Sequence, residues 1–270
     1  MKLSGQSFST GADSTYKVLH EIAKGAFSRV FLASNGEVIK ALKVFPHQYK
    51  HHAEREYSFG HGLKHSHLNV VEALLEIEGY TSVLMPYLSG QRLSTYFEKA
   101  NLAAFLKSFR ELLTGIQYLH DHDIIHRDIK PENIMISRGG HAKLFDFDLA
   151  VRVGEPQRRR SLVGTVAYLS PEQAKGEAVT KASDLYSAGV ILYRGVTGEV
   201  PFTGTVEEVL KAHINEEPQK PSSFNKFLKP FDDLTAKLLA KNQSERPQDA
   251  REVLALLDKV QKSREQRAEG

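Results

Sequence analysis

At 270 residues, with 41% hydrophobic and 26% charged side chains, the chain has an ordinary globular composition with room for one or two cores. Zero cysteines exclude disulfides and thiolate metal sites and agree with a reducing cytoplasm. A formal charge of +3, with basic residues scattered apart from Arg158-Arg159-Arg160, argues against nucleic-acid binding, and the absence of a bilayer-length apolar run or an apolar leader predicts no membrane anchor and a cytoplasmic location.

Residues 1–13, rich in Ser, Gly and Thr, are expected to be a flexible lead-in. Three β-rich runs follow, Tyr16-Lys17-Val18-Leu19, Arg29-Val30-Phe31-Leu32-Ala33 and residues 38–45, with Asn35-Gly36 as a hairpin signal between the last two. An antiparallel sheet therefore opens the fold. The turn between the first two strands carries small residues at Ala23, Gly25 and Ser28 before Val30. On the third strand, period-2 alternation puts Ala41 and Lys43 on one face and Lys40 on the other.

A helix is expected over residues 47–63, containing Glu54 and Glu56, with Gly60 near its end costing about 1 kcal/mol of helix stability and removing packing. Six histidines cluster in this region, and the spacing of His61 and His65 puts two imidazoles on one helical face, but no third ligand is fixed, so solvated side chains are expected there rather than zinc ligands. Residues 67–71 read as the entry to the next strand. Residues 81–90 read as a strand running into a Pro/Gly-marked connection, and Phe105, Leu106, Phe109, Leu112, Leu113, Ile116 and Leu119 recur at helical spacing.

The densest polar chemistry is His126-Arg127-Asp128-Ile129-Lys130-Pro131-Glu132-Asn133, a short loop between the apolar runs Ile124-Ile125 and Ile134-Met135-Ile136. Lys143-Leu144-Phe145-Asp146-Phe147-Asp148 follows, with Asp146 thirteen residues after Asn133, and then Val163-Gly164-Thr165-Val166-Ala167-Tyr168-Leu169-Ser170-Pro171-Glu172-Gln173. Together these strings resemble the catalytic loop, magnesium motif and activation-segment end of protein kinases, and the Ser-Pro-Glu-Gln form resembles bacterial serine/threonine protein kinases.

The resemblance implies an α+β, bilobal protein-kinase-like fold: a kinase domain over residues 14–260, divided into a small antiparallel β N-lobe (14–85), a hinge (86–90) and a larger, mainly helical C-lobe (91–260), with a charged tail at 261–270. It implies ATP with Mg²⁺, or Mn²⁺, as cofactors, and transfer of the γ-phosphoryl group to Ser/Thr hydroxyls of proteins. Asp128 would orient and deprotonate the acceptor, Lys130 would contact the γ-phosphate, and Asn133 and Asp146 would hold metal. The string Lys40-Ala41-Leu42-Lys43 resembles the kinase strand whose last lysine contacts the α/β-phosphates, so Lys43 would do so, positioned by Glu56 with Glu54 as the fallback, and Lys40 is expected to be a solvated charge. Ala23, Gly25, Ser28 and Val30 would cover the phosphates, and Ala41, Met85, Tyr87 and Leu88 would line the adenine site.

Thr165 would hydrogen-bond Asp128 and Lys130, and Glu172 would pair with Arg246 in the interior. Ser183 or Asp184 would cap the next helix, Asp184 bracing the catalytic loop. Further helices are expected over residues 207–213, 232–239 and 250–260. Ser161, after the arginine run, is a candidate autophosphorylation site whose phosphate would recruit Arg127. Glu132 suggests substrates with a basic residue ahead of the acceptor. The resemblance covers the chain from Tyr16 to Val260, so a bare catalytic domain is expected; no sequence feature fixes an oligomeric state. Two departures, Asp148 in place of the magnesium-motif glycine and a glycine-rich loop reduced to Gly25, keep open a pseudokinase or weakly active scaffold, and a small-molecule phosphotransferase is a third reading.

Overall fold

The computed structural model describes residues 3–10, 14–155 and 166–269, with side chains to residue 264. The chain divides into two units. One comprises the chain up to Gly90 together with Phe145–Ala150; the other comprises Gln91–Leu144 and the chain from Val151 onward.

The first unit is built on a six-stranded antiparallel sheet, β1 (Ser7–Ser9), β2 (Thr15–Lys24), β3 (Arg29–Ser34), β4 (Ile39–Phe45), β5 (Ala73–Ile77) and β6 (Tyr80–Pro86), ordered β1-β2-β3-β4-β6-β5. The Asn-Gly signal lies in the β3–β4 turn: the Asn35 carboxamide oxygen accepts the Glu37 and Val38 N–H groups at 3.1 and 2.8 Å, and Gly36 takes φ +96°. Alternation along β4 splits two cores. Leu42 and Val44 pack on one face with Val18, Phe31 and Leu84, while Ala41 and Phe45 pack on the other with Ala53, Val83 and Met85.

Three expectations change in this unit. Part of the lead-in is structured: β1 pairs with β2, and Leu3 and Phe8 are buried against Tyr16 and Val18 because they close the sheet face that α1 does not cover. The helix is shorter than expected, α1 (Lys50–Gly60) preceded by a 3₁₀ turn at His47–Tyr49, so His61 and His65 lie beyond its end and share no helical face. The strand entry falls later too, with Val71 making only an isolated bridge to His61 before β5 starts at Ala73. Among the described residues, no group of three His, Cys, Asp or Glu side chains is arranged to hold a metal ion.

The second unit opens with β7 (Gly90–Arg92) and α2 (Leu93–Tyr96), and its core is α3 (Leu102–Asp121) packed on α5 (Lys181–Thr197). Asn101 caps α3 by accepting the Ala104 N–H at 2.9 Å. Every apolar residue read at helical spacing along α3 is buried. The helices approach closely at Gly195, where an added Cβ would stand 2.0 Å from the Phe105 ring. Strands β8 (Ile124–Ile125), β9 (Ile134–Ser137), β10 (Ala142–Leu144) and β11 (Val151–Arg152) form β9–β10 and β8–β11 antiparallel pairs. Helices α4 (Pro171–Lys175), α6 (Val206–Asn215), α7 (Pro221–Phe224), α8 (Asp232–Leu238) and α9 (Ala250–Glu269) complete the unit.

Two local readings also change in the second unit. Helix α9 continues through the tail to Glu269, where Lys, Arg, Glu and Gln all have high helix propensity. Helix α5 starts from Thr180, whose N–H donates to Ser183 Oγ at 3.0 Å, so of the two expected capping residues Ser183 takes part in the cap and Asp184 does not. Among the described residues no helix is long and apolar enough to cross a membrane.

Candidate functional site

In the first unit, the β3–β4–β6 register makes Val30 and Val83 the cross-strand neighbours of Lys43, and makes Met85 the neighbour of Ala41. Lys43 projects from the same face as Ala41, toward α1. Its Nζ lies 2.7 Å from Glu56 Oε2 and 2.7 Å from Asp146 Oδ1. The helix turns Glu56 inward, 1% exposed, and leaves Glu54 half-exposed on Lys50. Lys40, expected to be solvated, instead pairs with Glu72 at 2.6 Å.

Burial works against charge at both ends of the Lys43–Glu56 pair. For Lys43 the carboxylates of Asp146, Glu56 and Asp148 outweigh burial and raise the pKa, so the ammonium stays charged. For Glu56 burial dominates over the pull of Lys43, and Asp146 and Asp148 add to it, so its carboxyl is pushed up to about 8. Three acidic side chains thus surround one ammonium.

Helix α1 meets the Phe145–Ala150 segment along successive turns, through His52, Arg55 and Gly60. Arg55 donates from Nε and Nη2 to the Ala150 carbonyl at 2.9 and 2.6 Å. At Gly60 the expectation of lost packing is overturned: an added Cβ would stand 2.7 Å from Val71 Cγ2 and 3.0 Å from the fully buried Phe147 ring. The glycine closes the contact, and as the last residue of α1 it escapes most of the helix-interior cost. Asp146 holds φ +74°, a left-handed conformation costing about 1–3 kcal/mol that its surroundings must impose. Asp148 stays outside that region and turns to α1, its Oδ2 3.4 Å from His52 Nδ1.

The remaining residues of this unit are placed as follows. Ala23 pairs with Val30 across β2–β3, and Gly25 N–H closes the turn on the Ser28 carbonyl at 2.8 Å. Val30 packs beside Ala41 and Met85. Tyr87 is exposed and Leu88 half-buried in the connection after β6, where the Pro86 carbonyl accepts from Asn69 at 3.1 Å.

In the second unit, the loop between β8 and β9 is held from below. Asp184 of α5 accepts the His126 and Arg127 N–H groups at 2.8 and 2.9 Å and the His120 imidazole at 2.9 Å. Gln173 donates to the Arg127 carbonyl at 2.8 Å, and Arg127 takes φ +68°. So fixed, the loop brings Asp128, Lys130 and Asn133 together: Asp128 Oδ2 accepts from Lys130 Nζ at 2.7 Å and from Asn133 Nδ2 at 2.8 Å. Asn133 also donates to the Asp128 carbonyl at 2.9 Å. Its amide nitrogen is engaged, and its carbonyl oxygen is the donor atom it would offer a cation.

Glu172 and Arg246 form a buried two-point pair, Nη1–Oε1 2.8 Å and Nη2–Oε2 2.9 Å. Burial raises the Glu172 pKa, but the Arg246 guanidinium outweighs it and holds the carboxyl below its usual range. Thr165, Ser161 and the arginine run lie outside the described residues. Sequence reasoning missed His52, Arg55, His120 and the Gln173 contact. His52 had a legible signal in its four-residue spacing from Glu56 on one helix face; the others depend on long-range packing.

The donor chemistry fits a hard divalent ion. The Asp146 carboxylate and the Asn133 amide carbonyl are oxygen donors of the kind Mg²⁺ and Mn²⁺ take, and the acidic excess around Lys43 favours an added cation.

A family model described as the protein kinase domain matches residues 16–256. The chain is 28% identical over 262 residues to the probable serine/threonine-protein kinase PknB of Lactococcus lactis, covering 88% of this chain and 41% of that protein. It is 37% identical over 190 residues to the probable serine/threonine-protein kinase SCO3848 of Streptomyces coelicolor, covering 64% and 28% respectively. It is 41% identical over 152 residues to the serine/threonine-protein kinase PknB of Mycolicibacterium smegmatis, covering 54% and 24%. The chain therefore spans less than half the length of each of these curated relatives.

Proposed function

The chain belongs to the protein kinase domain family, and from that membership we propose that it transfers the γ-phosphoryl group of ATP to Ser or Thr hydroxyls of protein substrates. One observation carries the reading: Lys43 is charged and paired at 2.7 Å with both Glu56 and Asp146, so the phosphate-contacting lysine is already held in place. A scaffold has no need of that arrangement, and the relatives named as serine/threonine kinases favour catalysis over the scaffold reading.

Asp146 and Asn133 are the residues that would hold Mg²⁺, or Mn²⁺. The ion would neutralise charge on the phosphates. Ala23, Gly25, Ser28 and Val30 would cover the phosphates, while Ala41, Met85, Tyr87 and Leu88 would contact the adenine. Asp128 accepts the acceptor-hydroxyl proton at Oδ2, the atom that Lys130 and Asn133 orient. Lys130 then lies beside the oxygen on which charge develops. Glu132 favours a basic residue ahead of the acceptor, the context that Arg158-Arg159-Arg160 gives Ser161. Ser161 is thus the proposed autophosphorylation site, and phosphopeptide mapping of active protein should recover it modified. The absence of cysteine suits a reducing cytoplasm, where ATP is available.

The test is a radiolabelled-ATP assay on generic protein and small-molecule acceptors. Label should enter protein in a Mg²⁺-dependent manner, and Asp128→Ala should lower turnover by about 10²–10⁴-fold. Equal, background-level incorporation by both forms would restore the scaffold reading; label in small molecules alone would indicate the third.

A further inference from the structure

We propose that His52 and Asp148 form a latch that positions the Asp146 turn against helix α1, taking over by side-chain contact a place where the family motif carries glycine. The proposal rests on the kinase reading for its consequence but not for its geometry. Asp148 follows Asp146 by two residues, and its Oδ2 stands 3.4 Å from His52 Nδ1, with the two side chains only 13% and 15% exposed. His52 is itself fixed, its ring stacked on Phe27 at 4.6 Å and 11° and lying parallel to Phe45 at 6.5 Å. Phe27 belongs to the turn that begins at Gly25.

One imidazole therefore joins three parts of the unit: the β2–β3 turn, the helix that carries Glu56, and the segment that carries Asp146. The contact has a physical task. Asp146 occupies a left-handed φ of +74°, a conformation that only its surroundings maintain. On the far side of the turn, Ala150 is held by the two Arg55 hydrogen bonds and by its own N–H to the Phe147 carbonyl at 3.1 Å. His52 holds the middle. Glycine at 148 would remove this tie and leave the packing of Phe147 against Gly60, whereas Asp148 restrains the backbone and keeps its carboxylate on α1. His52 and Asp148 are positioning residues in this account, acting through Asp146.

The test is amide hydrogen exchange at Phe147–Ala150 in the nucleotide-free protein, paired with kcat and the KM for ATP. His52→Gln and Asp148→Asn should each accelerate exchange at Ala150 about 5-fold, and the double variant should go no further than either single. The kcat should fall by a similar factor with KM little changed, and His52→Arg, which places a planar group able both to stack on Phe27 and to donate to Asp148, should restore both readouts. Unchanged exchange in both single variants, or effects that multiply in the double variant, would overturn the latch. A wild-type protein that transfers no phosphoryl group would sink the kinase reading, yet the exchange data would still decide the latch.

Discussion

Two of the buried ion pairs among the described residues, Arg246–Glu172 and Lys43–Glu56, are built to opposite designs. Arg246–Glu172 is a closed account of charge: a planar guanidinium meets a carboxylate at two points, Ser183 Oγ donates to the same carboxylate, and Arg246 spreads its other N–H groups over the Ala240, Ala182 and Lys241 carbonyls. Lys43–Glu56 is left open. A single ammonium faces Glu56, Asp146 and Asp148, and Asp146 remains 27% exposed. A satisfied, neutral pair holds a fold together, whereas an acidic excess around a fixed lysine leaves negative charge that an added cation would balance.

Breaking the closed pair should cost most. Arg246→Ala leaves a carboxylate buried without its partner and should destabilise the second unit by about 3–5 kcal/mol, read as a lower denaturation midpoint. A pH titration probes the same unit. His213 Nδ1 accepts from the Tyr186 hydroxyl and its Nε2–H donates to the Ala167 carbonyl, and burial, aided by Lys241, lowers its pKa to about 4. A base depressed in this way contributes stability that is fully present above its unfolded pKa of about 6.5 and is lost as pH falls from there toward 4, about 3 kcal/mol in all. Thermal unfolding followed across that range should show the loss, and His213→Gln should flatten it.

Smaller effects are expected in the first unit. Gly60→Ala forces a Cβ onto Val71 and Phe147 and should cost about 1–3 kcal/mol in chemical denaturation, in place of the gain expected for glycine replacement in a helix. Lys43→Met should cost least, about 1 kcal/mol, because Glu56, already pushed up to about 8, takes up a proton instead of remaining an isolated charge. The same variant should lower phosphoryl transfer by about 10²–10³-fold. A Lys43→Met protein as destabilised as Arg246→Ala would erase the distinction between the two pairs.

Much of the candidate site was legible in the sequence because its parts lie in short strings. Asp128, Lys130 and Asn133 fall within one loop, strand alternation set Lys43 and Lys40 on opposite faces, and the resemblance to the kinase strand then selected Lys43. Where distance along the chain was large, legibility failed. Gly60 read as a weakness because its neighbours Val71 and Phe147 are not visible from the helix pattern, and Leu3 and Phe8 read as part of a lead-in because the uncovered sheet face has no local signature.

The sequence by itself determined which side chains are candidates for the chemistry and the order of strands and helices that presents them, since residue type, period and turn chemistry are local properties. Only the tertiary structure decided that Glu56 rather than Glu54 faces Lys43, that Asp148 turns to His52, and that Gln173 joins Asp184 in holding the His126–Asn133 loop. Each of those outcomes depends on burial and on partners tens of residues away, which fix the direction of a side chain that local pattern leaves undecided.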